Sequence, residues 1–337
     1  MIDRATPFRA IGRFLEEMLP SRLLGTALAM GLIDRLAKSD IEASEIAASF
    51  DLAPRGTDLL LTGLAGNSVI ERNGDTISLG ASFREVLQWR DLLEAKLAFA
   101  DIVLPDIAEL TLPLLSHGHE FMGRSRTFDL FRYDRAKHRS PENRVATERW
   151  VHLLGTLTRY EAPALIDAID LTNVAGAIDI GGNCGELARA LAEAAPRIDA
   201  QVFDLPVVCD IGRAHLATTA PSVRFVEGDL RQDALPGGQD LIVFKSVLHD
   251  WPEGDAATFL AKAATALAPG GRIVIFERAP FDFDTGLPAY HDLPNLMFMH
   301  FLRPADAYRA MLERIGLTVT LETQIRLDMP FLLLVAS

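Results

Sequence analysis

The residues best suited to chemistry are His249 and Glu277, 28 positions apart, each lying at or just past the end of an apolar run. An imidazole exchanges its proton near neutral pH, and a carboxylate beside it orients the ring and raises its basicity. If the two runs are neighbouring strands, their ends lie about 5 Å apart, and the pair can act as a base. Upstream, another apolar run ends in Asp179-Ile180-Gly181-Gly182-Asn183-Cys184-Gly185-Glu186. Its glycines permit a tight turn and a close approach of backbone to ligand. Asp204 follows Gly181 by 23 residues, where a carboxylate grips the hydroxyl pair of a ribose; capping of a helix that opens at Pro206 is its alternative use. Asp229, after Gly228, suits an adenine amino group or a plain turn. Cys184 reads as a small apolar filler, and Asp250, three residues before Glu253, reads as the N-cap of a capping box.

These residues need a scaffold that collects strand ends, and from residue 174 the sequence supplies one. Short β runs at 177–181, 201–204, 223–226, 240–245 and 272–277 alternate with helical stretches at 185–195, 206–218, 253–267 and 305–315. That alternation is βαβ wiring, so the expected fold class is α/β, a Rossmann-like, doubly wound, mostly parallel sheet. Its ligands sit outside the carboxyl ends of the strands, where the residues above fall. The run 329–336 reads as an added strand that closes the sheet edge.

Before residue 170 the apolar residues recur at helical spacing, as in Phe8, Ile11, Phe14, Leu15 and Met18. Residues 43–50 and 54–66 read as two helices, followed by a hairpin of 69–70 and 76–79 around Asn73-Gly74-Asp75, a helix-turn-helix with a wing. The second helix offers Arg55 and Asp58 among leucines and glycines, too little charge for phosphate contacts. Leu59, Leu60, Leu61 and Leu64 instead suit packing within the chain or across a dimer. The expected domains are 1–87, helical and winged-helix-like; 88–173, a helical connector and cap; and 174–337, the sheet domain.

Composition narrows the function further. The 337 residues are 49% apolar and 23% charged, with 33 Lys and Arg against 46 Asp and Glu, a net charge of −13. Such a chain buries a full core and is a poor default partner for nucleic acid. Its longest apolar run, residues 23–33, falls short of the roughly 20 residues of a membrane span, and residues 1–17 lack the pattern of a secretory signal. Cys184 and Cys209 have neither disulfide nor zinc spacing, which fits a reducing cytoplasm. His117-Gly118-His119-Glu120 lacks a third ligand and reads as a turn, so no metal is expected. Residues 122–149 are locally basic, eight Lys or Arg against four Asp or Glu, which fits interdomain ion pairs or an anionic substrate group.

Taken together, the glycine turn, FDLP with Asp204, GD with Asp229, FKSVLHDWPE with Lys245 and His249, and LAPGGRIVIFER with Glu277 resemble the S-adenosylmethionine-dependent O-methyltransferases of the plant caffeate and bacterial natural-product type. The resemblance covers about 174–280 and extends more weakly to the N-terminus. It implies a class I methyltransferase fold with an N-terminal helical dimerisation domain, an intertwined homodimer and no metal. It also implies His249 as base and Glu277 as its partner, with Gly181, Asp204, Asp229 and Lys245 on S-adenosylmethionine, the product being S-adenosylhomocysteine. Asp179, Gly182, Leu205 and Leu230 complete the expected cofactor set. The acceptor is a small hydroxylated molecule, phenolic by the same resemblance.

One departure stands out. The family usually flanks the base with a second glutamate in a Gly-Gly-x-Glu-Arg-Thr-like turn, where this chain reads Met299-His300-Phe301-Leu302-Arg303-Pro304. His249 is then held by one carboxylate, or helped by His291, Asp292 or His300. The expected acceptor set is Asp250, Trp251, His291, Asp292, Asn295, Met299 and His300, with Met297, Phe298 and Phe301 as an apolar wall for a flat molecule. The departure also admits a scaffold relative that binds the cofactor but decarboxylates, hydroxylates or catalyses a pericyclic step. A winged-helix binding module is the third class.

Overall fold

The computed structural model describes residues 3–116 and 118–337; His117 lies outside the described residues, while Gly118, His119 and Glu120, expected as part of a turn, open the helix Gly118–Arg124. The chain divides into two units, one of Ala5–Leu104 with Thr285–Pro294, the other of residues 3–4 with Pro105–Asp284 and Asn295–Ser337. The division falls at Pro105, inside the helical run Arg90–Ser116, which also carries Pro113 and a non-helical Leu110 (φ −123°, ψ 15°). Proline removes an amide donor and crowds the preceding turn, so the run breaks. The stretch 88–173 is therefore shared between the two units. No helix among the described residues is long and apolar enough to cross a membrane.

In the first unit the helices Met18–Ala29 and Pro54–Gly66 pack closely, with Leu23 filling the space that a side chain on Gly63 would need. Leu60, Leu61 and Leu64 are buried, so these leucines pack within the chain, whereas Leu59 is exposed. The strands β1 (Ile41–Glu42), β2 (Ile70–Asn73) and β3 (Thr76–Leu79) form a small antiparallel sheet in the order β1-β3-β2. The β2–β3 hairpin turns through Gly74 at φ +66°, a conformation that glycine adopts without steric cost. The segment Thr285–Pro294 joins this unit through amides: Tyr290 donates to the Glu16 carbonyl at 3.0 Å and His291 to that of Leu15 at 3.1 Å.

Among its described residues the second unit holds seven strands: β4 (Gly176–Ile180), β5 (Asp199–Asp204), β6 (Arg224–Glu227), β7 (Gln239–Lys245), β8 (Leu267–Arg278), β9 (Val319–Arg326) and β10 (Pro330–Ala336). Their order is β6-β5-β4-β7-β8-β10-β9. The first five run parallel, and β10 is antiparallel to both β8 and β9. Residues 241–244 of β7 are all buried, as a strand covered on both faces must be. Each such buried Leu, Ile, Val or Phe contributes roughly 1.5–3 kcal/mol. The final strand corrects one expectation: β10 does not close the edge but inserts beside β8, and β9 forms the edge. Every residue of β9 is exposed or half-exposed, although Val319, Leu321 and Ile325 alternate with polar residues along it.

Candidate active site

The strand order reverses at β4, with β5 on one side and β7 on the other, which opens a crevice at their carboxyl ends. The turn after β4 fills its floor. Gly181 and Gly185 sit at φ +66° and +87°. A methyl on Gly182 would meet Oδ2 of Asp179 at 2.5 Å, and one on Gly181 would meet Val247 at 2.9 Å, so both positions need glycine. Two non-glycine residues that line the crevice, Asn183 (φ +58°) and Ser246 (φ +53°), also hold left-handed backbone, a strain that concentrates at functional sites. Asp204 secures the turn from β5: Oδ2 accepts the Asn183 amide at 2.9 Å and Oδ1 the Leu205 amide at 2.7 Å. The helix Pro206–Leu216 takes Leu205 as its N-cap with no side-chain bond, so Asp204 is not its capping residue.

The crevice has two lobes that meet at Gly181, Asn183 and Ser246. One is walled by Tyr133, Trp150 and Trp251 and edged by Asp204, Leu205, Asp229 and Leu230. Asp229 pairs with Lys137 at 2.6 Å and Arg231 at 2.9 Å, and these cations outweigh burial and hold its carboxyl well below the usual range. The other lobe carries Asp179, Lys245, Thr158, Glu161 and Arg278. Glu161 bridges the two cations, to Nζ of Lys245 at 2.5 Å and Nη2 of Arg278 at 2.7 Å. Burial pushes Asp179 up to about 8, opposed by Lys245 and reinforced by Asp204. Burial likewise pushes Asp204 up to about 6 against the two amides it accepts.

A molecule with an aromatic base, a ribose and a zwitterionic amino acid end matches this groove. The aromatic lobe suits the base, free lone pairs on Asp204 suit the ribose hydroxyls, and Lys245 and Asp179 suit a carboxylate and an ammonium. S-adenosylmethionine has all three parts, and the residues present fit it.

Beside the groove stands the expected pair. β7 and β8 are parallel neighbours, and Nδ1 of His249 lies 2.5 Å from Oε2 of Glu277. A carboxylate only accepts, so Nδ1 carries the proton and a neutral ring keeps its lone pair on Nε2. Oε1 of Glu277 accepts the amides of Val247 at 2.8 Å and Leu248 at 2.7 Å, tying the same carboxylate to the backbone of the turn. Burial alone would lower the imidazole pKa, but Glu277 and then Asp250 outweigh it and leave it raised. Phe298 stands edge-on to the imidazole at 5.7 Å and packs against Phe128 at 5.0 Å and Phe131 at 6.1 Å, giving the base an apolar wall.

Asp250 corrects another expectation. It lies in the short turn Leu248–Asp250, and the next helix, Glu253–Ala266, takes Pro252 as its N-cap with no side-chain bond. Its carboxyl instead faces His249, with Oδ1 3.4 Å from Nε2, and Oδ2 accepts the Tyr133 hydroxyl at 2.7 Å.

The remaining candidates scatter. Trp251 stacks on Tyr133 at 6.0 Å in the aromatic lobe. His291 and Asp292 pair with each other at 3.0 Å and belong to the first unit, with the His291 ring against Gly12. His300 engages the Leu114 carbonyl at 2.5 Å and Asn295 is buried, while Met299 is half-buried. The basic stretch is extensively paired, including Arg124 with Glu120, Arg132 with Asp129 and Asp134, and Arg139 with Asp210 and Glu227. That favours ion pairs over an anionic substrate group. Burial pushes the Cys184 thiol up to about 12 and raises Cys209 further, so neither is a nucleophile at neutral pH. Among the described residues no group of three His, Cys, Asp or Glu gathers as metal ligands. Sequence reasoning missed Tyr133, Thr158 and Glu161, which lie on helical segments with no motif around them.

Residues 123–316, more than half of the chain, match a family model described as an O-methyltransferase domain. The chain is 28% identical over 280 residues to acetylserotonin O-methyltransferase of Rattus norvegicus, spanning 80% of this chain and 63% of that relative. It is 26% identical over 281 residues to L-tyrosine C(3)-methyltransferase of Streptomyces lavendulae, covering 82% and 75%. The structure of human N-acetylserotonin methyltransferase in complex with S-adenosylmethionine shares the fold, with a TM-score of 0.69 and 22% identity over 94% of this chain and 93% of that one.

Proposed function

The chain belongs to the S-adenosylmethionine-dependent O-methyltransferase family, and from that premise we propose that it methylates a phenolic hydroxyl of a small aromatic acceptor, with His249 as general base and Glu277 as the carboxylate that orients it. The observation that carries this reading is the 2.5 Å contact from Nδ1 to Glu277, which leaves Nε2 as the proton-accepting nitrogen. S-adenosylmethionine supplies a methyl group already activated on a sulfonium. The protein's part is to align the acceptor oxygen with that methyl and to take the hydroxyl proton at Nε2. Glu277 then stabilises the imidazolium. Asp204 holds the ribose, Asp229 the adenine edge, and Lys245 with Asp179 the amino acid end, while Gly181 and Gly182 give that end room. The ring wall of Phe128, Phe131 and Phe298 supports a flat apolar acceptor over a sugar or a peptide.

A second reading rests on the likeness to the L-tyrosine C(3)-methyltransferase. A phenolate carries charge on its ring carbons as well as its oxygen, so the same base serves transfer to carbon. Incubation with methyl-labelled S-adenosylmethionine and a panel of phenols separates the two: a methyl ether supports the first and a ring methyl the second. Retention of the cofactor without transfer to any phenol would overturn both.

The division of labour that goes with this reading gives dimerisation to residues 1–87, the acceptor cap to 88–173 and donor binding and chemistry to 174–337. Exposed Met18, Leu19 and Leu59 support a homodimer through the N-terminal helices. Two free, buried cysteines are compatible with a cytoplasmic setting. Sedimentation as a monomer at micromolar concentration would remove the dimer.

A further inference from the structure

Asp250 reaches the acceptor-side nitrogen of His249 from the next position in the chain, inside a turn only three residues long. At 3.4 Å the contact is too long to hold itself as a strong hydrogen bond. The restraint comes from elsewhere. The Tyr133 hydroxyl, 117 residues upstream, donates to Oδ2 at 2.7 Å. The Tyr133 ring is itself fixed, stacked on Trp251 at 6.0 Å and edge-on to Trp150 at 5.6 Å. Arg303 completes the frame by donating to the carbonyls of Leu248, at 2.7 Å, and Trp251, which bracket the His249-Asp250 pair.

We propose that Tyr133 is a positioning residue: it braces Asp250 against Nε2 of His249 and so sets the pH range over which the imidazole is free to take a proton. The inference rests on the reading of His249 as base. It also assigns to Asp250 the place of a second carboxylate beside the ring, where the 299–304 stretch offers Leu302 and Arg303. The groups that face this pair are Glu277, Arg278, Arg303 and the Tyr308 hydroxyl. Glu277 and Asp250 favour the imidazolium, and Arg278 opposes it. Burial favours the protonated form of Asp250, while His249 and the Tyr133 hydroxyl favour its carboxylate. Without that hydroxyl Asp250 takes up a proton more readily, and a neutral Asp250 no longer supports the imidazolium.

The test is a titration of His249 by nuclear magnetic resonance in the full-length, histidine-labelled protein, its signal assigned with His249→Gln. Asp250→Asn is expected to lower the midpoint by about one unit. Tyr133→Phe, which keeps the ring between its tryptophans, is expected to lower it by a smaller amount. The double variant should match Asp250→Asn alone, because the hydroxyl acts through the carboxylate. A Tyr133→Phe midpoint identical to that of the wild type, or a double variant whose shift is the sum of the two, overturns the proposal. Should Tyr133→Phe fail to fold, Tyr133→Leu also removes the hydroxyl and must give the same downward shift. The titration needs neither donor nor acceptor, so a protein that methylates no phenol would sink the proposed function and leave this result standing.

Discussion

Glu277, fully buried, holds His249 twice: Oε2 accepts a hydrogen bond from Nδ1–H at 2.5 Å, and Oε1 accepts the amides of Val247 and Leu248, the two residues that lead into it. One carboxylate therefore fixes both the tautomer of the imidazole and the backbone that presents it. Replacing Glu277 with alanine strands the buried amide of Leu248, at about 1–3 kcal/mol, and the part-buried amide of Val247 at less. Urea denaturation should show a loss of that order. Glu277→Gln keeps the volume and one carbonyl acceptor, so it should fold better than the alanine variant yet turn over about 10²-fold more slowly. Equal stability of the two variants would show that the amides find other partners.

His249→Ala and Asp204→Ala should separate chemistry from binding. The first removes the proposed proton acceptor, and turnover on the true acceptor should fall by about 10²-fold or more while calorimetry shows unchanged affinity for S-adenosylhomocysteine. The second removes the proposed ribose partner and the anchor of Asn183, so affinity should fall first. A histidine variant with wild-type turnover, or an Asp204 variant with wild-type affinity, would cancel the corresponding role.

The raised pKa of His249 gives turnover a direction with pH. A general base works only when neutral, so in the proposed role of His249 activity should fall on the acid side with a midpoint above the ordinary imidazole value of 6.5. Stability runs the other way. A folded-state pKa above the unfolded one means that the contribution is fully present below pH 6.5 and is lost as pH rises through the folded value. The pH profile of kcat and melting curves at several pH values check the two signs, and an acid limb below 6.5 would contradict the geometry.

Burial pushes Asp179 up to about 8 even against the opposing charge of Lys245, which favours its protonated form at pH 7. An ammonium arriving in that lobe should favour the carboxylate and release up to about one proton. Calorimetry of S-adenosylhomocysteine binding at pH 7, in two buffers of different ionisation enthalpy, should detect the release. Binding of 5′-methylthioadenosine, which lacks the amino acid end, should release none. Equal release by both ligands would place the amino group elsewhere.

The sheet domain was legible because its signals are local. Apolar runs such as Leu241 to Phe244 read as doubly covered strands, the glycines around Asn183 as a turn, and the rule that ligands sit at strand ends places Asp179, Asp204, Asp229 and His249 together. The His249–Glu277 pair needed only two adjacent strands, which right-handed βαβ wiring supplies. Strand β9 was missed although Val319, Leu321 and Ile325 alternate with polar residues along it.

What only the tertiary structure decided is pairing at long range and the use of ambiguous local signals. Asp250 has the spacing of an N-cap, yet a three-residue turn and Pro252 carry the helix start past it, and the Tyr133 hydroxyl draws its carboxyl to the imidazole. Glu161 joins Lys245 to Arg278 from a helix whose sequence holds no motif. The segment Thr285–Pro294 leaves the sheet domain to pack with the first unit. Contacts of this kind arise from which faces pack together, an outcome set by the sum of many weak contacts and absent from any short window of sequence.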